Sequence, residues 1–383
     1  MIINVQSTTF SEYGGIPTYN RLVCRVLNEV NDGEANHVLI ATDKATDLKK
    51  AERELPDLRL RAFDHNRVSL VLAFMRLCLT RPVDLALLGH VNYAPLGWLL
   101  KKLRPQMRYG VMLYGVDVWQ RLPWLKRRAL QRADFLVSIS DYTKQRAVAA
   151  NGLTPDEIHL LPNALEAKLN DANPAMPPRQ MGSSLLSVCR LEETERYKGV
   201  DKVIEILPEL AKAVPDLKYV VVGGGTDLER HKQLALRCGV ADRVQLLGFV
   251  SDEDLQACYR DCDVFVMPSA GEGFGFVFLE AMKYGKAIVA ANSGGAPEVV
   301  EDGVTGRLVE YGNEDELIKT LTELCLDPEK RTRLGAAGYQ RLQQRFTFAH
   351  FKQKLTEILT AELAPGTTFL KEVPVGRSTP EIS

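Results

Sequence analysis

Short apolar runs alternate along almost the whole chain with longer segments whose apolar residues recur at helical spacing. In the first half, Ile2–Val5, Val38–Ala41, Leu85–Leu88, Tyr109–Leu113, Phe135–Ile139 and Ile158–Leu161 predict strands. In the second half, Leu185–Val188, Tyr219–Val222, Val244–Leu247, Val264–Met267, Ala287–Ala290 and Gly306–Val309 do the same. Between them Ile16–Val30, Leu125–Ala133, Lys198–Ala213, Glu229–Cys238 and Glu314–Leu326 have the period of helices. This alternation is the signature of an α/β fold. Two successive sets of strands predict two doubly wound, Rossmann-like units rather than one large sheet.

The seam between the units falls at residues 169–184, which are rich in Pro, Asn and Ser and lack an apolar period. The expected organisation is an N-terminal domain over 1–168, that linker, and a C-terminal domain over 185–348. A helix over 349–363 follows, open to packing on either lobe and so to crossing back to the N-terminal domain, and 364–383 form a loose tail. Two such lobes leave a cleft between them, and ligands of these sheets bind beyond the carboxyl ends of the strands.

Composition narrows the class. A chain of 383 residues exceeds what one core comfortably serves, and 45% hydrophobic with 25% charged residues excludes disordered, collagen-like or disulfide-stapled proteins. The net charge of −1 gives no reason to expect nucleic acid. The balance is uneven, however: residues 1–165 hold 22 Lys and Arg against 16 Asp and Glu, and the remainder 26 against 33. Eleven of the basic residues lie between Lys101 and Arg146. Seven scattered cysteines without a C-x-x-C pair read as reduced thiols of a cytoplasmic protein, and six histidines show no metal-ligand spacing. The start lacks the pattern of a signal peptide, and Val68–Leu79 is too short and too interrupted to span a bilayer.

The segment richest in chemistry is Met267–Met282, MPSAGEGFGFVFLEAM, which follows an apolar strand and runs into a helix. Gly271, Gly273 and Gly275 let the backbone approach a ligand, and amides at a helix start form a cradle for a diphosphate. Glu272 lies in the loop. Glu280, in the helix, suits the vicinal hydroxyls of a ribose; the plainer reading is a Gly-rich turn with a solvated carboxylate. Arg190 and Lys198, in SVCRLEETERYKGVDKVI, supply two cations to neutralise a diphosphate and stabilise it as it leaves, unless they are ordinary surface charges.

Glu272 to Glu280 resembles the E-x7-E motif of retaining glycosyltransferase family 4, whose fold, GT-B, is two facing Rossmann-like lobes. The resemblance extends over most of the chain. It implies that Glu272 approaches the donor sugar and reaction centre, with Arg190 and Lys198 on the diphosphate. Gly273, Phe274 and Gly275 would meet sugar and phosphate through the backbone, and Glu280 would bind the ribose. Gly14 and Gly15, after the first strand, correspond to the family's phosphate-facing loop, and Val250 to the segment whose backbone reads the base. Two departures stand out: Cys189 replaces a Gly before Arg190, and the spacer from Arg190 to Lys198 is long. Many relatives carry a His that reaches the donor sugar where this chain has Tyr114, and Asp117 is a candidate to orient a donor or acceptor hydroxyl. Gly223–Gly225 lacks the third Gly of a dinucleotide fingerprint, and Asp261-x-Asp263 precedes rather than follows its strand, which makes it a poor metal-nucleotide motif.

The expected protein is therefore a retaining hexosyltransferase, using a UDP- or GDP-sugar as co-substrate with no metal or resident cofactor. Its acceptor would be a glycan or lipid-linked hydroxyl in polysaccharide, lipopolysaccharide or glycolipid synthesis. The basic 101–132 region, whose amphipathic part is Leu122–Ala133, is either a solvated surface or a contact with an anionic lipid at the inner membrane face. A sugar-nucleotide epimerase of the same fold and a non-catalytic sugar-nucleotide-binding subunit are the alternatives.

Overall fold

The computed structural model describes residues 1–30, 35–165 and 183–363. Seven strands form the first sheet: β1 (Ile2–Gln6), β2 (Asn36–Ile40), β3 (Leu58–Ala62), β4 (Leu85–Leu88), β5 (Arg108–Leu113), β6 (Phe135–Ser138) and β7 (Ile158–Leu160). Six form the second: β8 (Ser184–Val188), β9 (Lys218–Val222), β10 (Val244–Gly248), β11 (Val264–Met267), β12 (Ala287–Ala291) and β13 (Arg307–Val309). The orders are β3-β2-β1-β4-β5-β6-β7 and β10-β9-β8-β11-β12-β13, with every pairing parallel. Each order reverses once, at β1/β4 and at β8/β11, which sets the ligand crevice beyond the carboxyl ends there. Central strands such as β1, β4, β11 and β12 are buried throughout, as parallel strands covered on both faces must be.

One strand escapes the sequence pattern. β3 reads LRLRA, and its Arg59 and Arg61 lie on the outer side of an edge strand, so half of it is polar. The linker expected at 169–184 lies outside the described residues except for its last two, of which Ser184 already opens β8. The tail 364–383 lies outside them as well.

The helix Phe348–Glu362 follows the second lobe but packs on the first. Phe351 meets Tyr19 edge to face at 5.2 Å, the Arg25 guanidinium lies 3.9 Å from the Phe348 ring, and Lys352 pairs with Glu29. At its end Glu362 takes both Arg108 and, at 2.9 Å, His159. A single apolar cluster consequently runs from the helix Gly15–Glu29 through Phe351 and Leu355 to Phe274 and Met282.

Candidate active site between the lobes

Glycines bring the facing loops together. A Cβ on Gly273 would lie 2.4 Å from the Tyr114 carbonyl oxygen, so the loop after β11 touches the loop after β5 backbone to backbone. Gly15, at the start of the helix Gly15–Glu29, faces Phe276 of the other lobe, and Gly14 before it has φ 143°, a value side chains avoid. Gly275, also at positive φ, opens the helix Phe276–Lys283. The Phe274 side chain is buried against Phe346.

Lys198 and Glu272 are 74 positions apart, and the fold joins them: Nζ donates to Oε1 at 2.7 Å, with Glu272 only 7% exposed. Burial disfavours the Lys198 charge, but Glu272 and Tyr197 outweigh it and hold the ammonium's pKa above the usual lysine value. The long spacer is a 3-10 turn, Glu193–Lys198, fastened at both sides. The Tyr197 carbonyl accepts from Ala270 N at 2.8 Å and Ser269 Oγ at 3.1 Å, which ties the turn to the loop of Glu272. Arg196 meets Asp227 through Nη2 at 2.9 Å and Nε at 3.2 Å. Arg190, more exposed, pairs with Glu195 at the rim.

Asp227 is 2% exposed and also accepts from Arg230 Nε at 2.6 Å. Burial pushes its carboxyl up, but the two guanidinium groups prevail and hold it below the ordinary aspartate value. A depressed carboxyl contributes stability above its unfolded pKa, which disappears as pH falls through the folded pKa. Asp227→Asn should therefore cost about 2 kcal/mol at neutral pH. The difference in thermal unfolding from the unsubstituted protein should shrink as pH falls below the ordinary aspartate range. A difference that stays constant over that range would show that the charge pairing is not what Asp227 contributes.

Glu280 accepts from Tyr259 Oη at 2.6 Å, and burial raises its carboxyl pKa. Val250 lies two residues after Gly248, whose carbonyl accepts from Gly223 N at 2.8 Å, and the exposed ring of the intervening Phe249 lies over Gly224. Asp263 serves the framework, accepting from Ser184 N at 2.9 Å and pairing with Arg331 at 3.1 Å.

The Tyr114 side chain is turned into the N-terminal lobe. Its ring packs edge to face on Tyr19 at 5.4 Å, and its hydroxyl donates to Asn20 Oδ1 at 2.9 Å inside the N-terminal lobe. What Tyr114 presents to the other lobe is its carbonyl. Asp117 turns back on the same loop and accepts from Tyr114 N at 3.2 Å; burial raises its pKa, against the pull of nearby His90. His90, two residues beyond the apolar run of β4, is not marked by any motif in the sequence. Its ring centroid is 6.5 Å from that of Tyr114, and burial lowers its pKa despite Asp117, favouring the neutral imidazole.

Two parallel-sheet lobes, facing loops after β1, β5, β8 and β11, and a cation beside the Gly-rich turn define a glycosyltransferase of the GT-B fold. The family described as glycosyl transferases group 1 matches residues 180–341. The GDP-mannose-dependent alpha-(1-6)-phosphatidylinositol monomannoside mannosyltransferase of Mycobacterium tuberculosis is 32% identical over 288 residues, 70% of this chain and 74% of that protein. The Mycolicibacterium smegmatis protein of the same name is 35% identical over 285 residues, with the same coverage. The Anabaena HepE structure in complex with UDP superimposes with a TM-score of 0.76 at 21% identity, over 94% of this chain and 99% of that one. The chain belongs to the group 1 glycosyltransferases. Both relatives are transferases, so the epimerase and non-catalytic alternatives gain no support.

Proposed function

We propose that this protein transfers mannose from GDP-mannose, with retention at the anomeric carbon, to a phosphatidylinositol-type glycolipid at an anionic membrane face. The observation that carries this reading is the identity to two GDP-mannose-dependent mannosyltransferases over 70% of the chain. In this reading Lys198 and Arg190 take the diphosphate, so no metal is required, and Glu280 holds the ribose. Glu272, neutralised by Lys198, orients the sugar rather than attacking it. The base rests on the backbone around Val250, and the amides of Gly14, Gly15 and Gly273–Gly275 close around the phosphates. The leaving diphosphate accepts the acceptor hydroxyl's proton as the new bond forms on the face the old one leaves.

The membrane side of the proposal is supported by the surface of the N-terminal lobe. Leu99 and Leu103 on the helix Ala94–Leu103, and Trp124 and Leu125 on the helix Trp124–Leu130, are exposed. The two helices meet through Trp98 and Trp124 at 6.1 Å, and Lys102, Arg127 and Arg128 stand on them. Apolar side chains with cations around them suit an anionic interface. Among the described residues no helix is long and apolar enough to cross a membrane.

The test is transfer of radiolabel from GDP-mannose, UDP-glucose or ADP-glucose to vesicles containing phosphatidylinositol monomannoside, with and without EDTA. Label should reach the lipid from GDP-mannose alone, undiminished by EDTA and in the α configuration. Transfer from UDP-glucose instead, or its loss with EDTA, would overturn the donor or the metal-free assignment.

A further inference from the structure

Glu298 belongs to the C-terminal lobe, on the short helix Ala296–Val299, yet its carboxylate is bonded to the other lobe. Oε2 accepts from Asp141 N and Oε1 from Tyr142 N, each at 2.8 Å. These are the first two amides of the helix Asp141–Asn151, whose cap, Ser140, turns its side-chain hydroxyl to Thr143 N instead. A helix leaves its first amides without internal partners, and a carboxylate there also meets the positive end of the dipole. Here that carboxylate is supplied 157 residues away, across the cleft.

The other side of the same segment is joined to the loop that carries Glu272. Gly295 N donates to the Glu272 carbonyl at 2.7 Å, and Ser293 Oγ donates to the Ala270 carbonyl. The packing leaves no slack: a Cβ on Gly294 would lie 2.6 Å from Glu272 N, and one on Gly295 2.4 Å from Gly273 O. Arg341 braces the segment from behind, donating to the Glu298 and Val299 carbonyls at 3.0 and 2.9 Å. Movement of the helix Asp141–Asn151 relative to the C-terminal lobe therefore pulls on Glu298, and through Gly294 and Gly295 on Glu272 and Gly273.

We propose that Glu298 is a positioning residue for glycosyl transfer, a bidentate latch that holds the two lobes together and sets the Glu272–Gly273 loop against the N-terminal lobe. The inference rests on transfer taking place between the lobes and not on which sugar nucleotide is the donor. Reacting groups held by opposite lobes must be brought to near-contact geometry, and loss of about 1 Å in such placement costs rate steeply.

Hydrogen exchange on the full chain tests the latch without any donor. In Glu298→Ala, the peptide containing residues 140–146 should take up two more deuterons at the earliest times, and in Glu298→Gln, whose amide keeps one acceptor, one more. Turnover with GDP-mannose gives the second arm: kcat in Glu298→Ala should fall at least about tenfold with a smaller change in donor KM, and Glu298→Gln should recover part of it. Asp141→Pro breaks the latch from the other lobe. Proline is tolerated at a first helical position, and Ser140 is already extended, as the residue before a proline prefers. It removes one of the two bonds and should lower kcat part of the way, as Glu298→Gln does, and the double variant should be no slower than Glu298→Ala alone. Unchanged exchange at 140–146 in Glu298→Ala, or full turnover in Asp141→Pro, would overturn the proposal. A parent protein inactive with GDP-mannose would refute the donor assignment and leave the exchange result to decide the latch.

Discussion

Replacing Lys198 with alanine is expected to lower kcat by about 10²–10³-fold, the usual loss when one preorganised donor to a developing negative charge is removed. The ammonium is partly buried, bonded to Glu272 at 2.7 Å and fastened beside the Gly-rich loop through Tyr197. Because its pKa is raised, the charge is present throughout the working range. The sign follows directly: a raised lysine contributes its stabilisation below the unfolded pKa and loses it only as pH rises through the folded one. Any alkaline loss of rate below the usual lysine range must then come from another group. In the alanine variant Glu272 keeps its burial but loses its cation, so thermal stability should fall too, and Lys198→Ala with Glu272→Ala should recover part of that fall. Rate measurements at saturating donor and thermal unfolding of the two single variants and the double decide this. A kcat within threefold of the parent, by about 0.7 kcal/mol of barrier, would remove Lys198 from the transition state.

Much of the frame behind this prediction was legible in the residues themselves. Buried parallel strands such as β4 and β11 are unbroken apolar runs, so the pattern marks them directly. β3 was missed because an edge strand need bury only half its side chains, and LRLRA resembles a polar connection. The Gly-rich turn and its two glutamates were visible because close backbone approach leaves a trace in residue type. Pairings between loops distant in sequence leave none. Nothing in the order of residues joins Lys198 to Glu272, which depends on how the loops after β8 and β11 meet within the C-terminal lobe, or Glu298 to the amides of Asp141 and Tyr142, which depends on how the two lobes meet. Tyr114 shows the reverse case. Its position in the motif pointed to a sugar contact, but a phenol beside Tyr19 and Asn20 gains more from burial with its hydroxyl bonded than from facing the cleft.

Gly273→Ala should be nearly as damaging to catalysis as loss of the lysine, with far less effect on folding. Gly273 is not among the glycines at positive φ, so alanine meets no conformational penalty there. The obstacle is steric and lies in the other lobe: the added Cβ would sit 2.4 Å from the Tyr114 carbonyl oxygen and 3.2 Å from Ile139 Cδ1. Backbone cannot rotate aside as a side chain can, so the approach of the lobes must loosen. An opening on the order of 1 Å at the reacting groups predicts a fall of about 10²-fold in kcat/KM. Within the lobes' cores only the flexible end of Ile139 is met, and it has only to yield by a few tenths of an ångström, so the thermal transition should stay within a few degrees, about 1 kcal/mol. Gly271→Ala is the comparison from the same loop. There the nearest atom is Trp119 Cζ3 at 3.2 Å, a side chain that has only to yield by a few tenths of an ångström, so its effect should be much smaller. Equal losses in the two variants would mean that the loop is sensitive to any added methyl group, and that contact with Tyr114 is not what sets the rate.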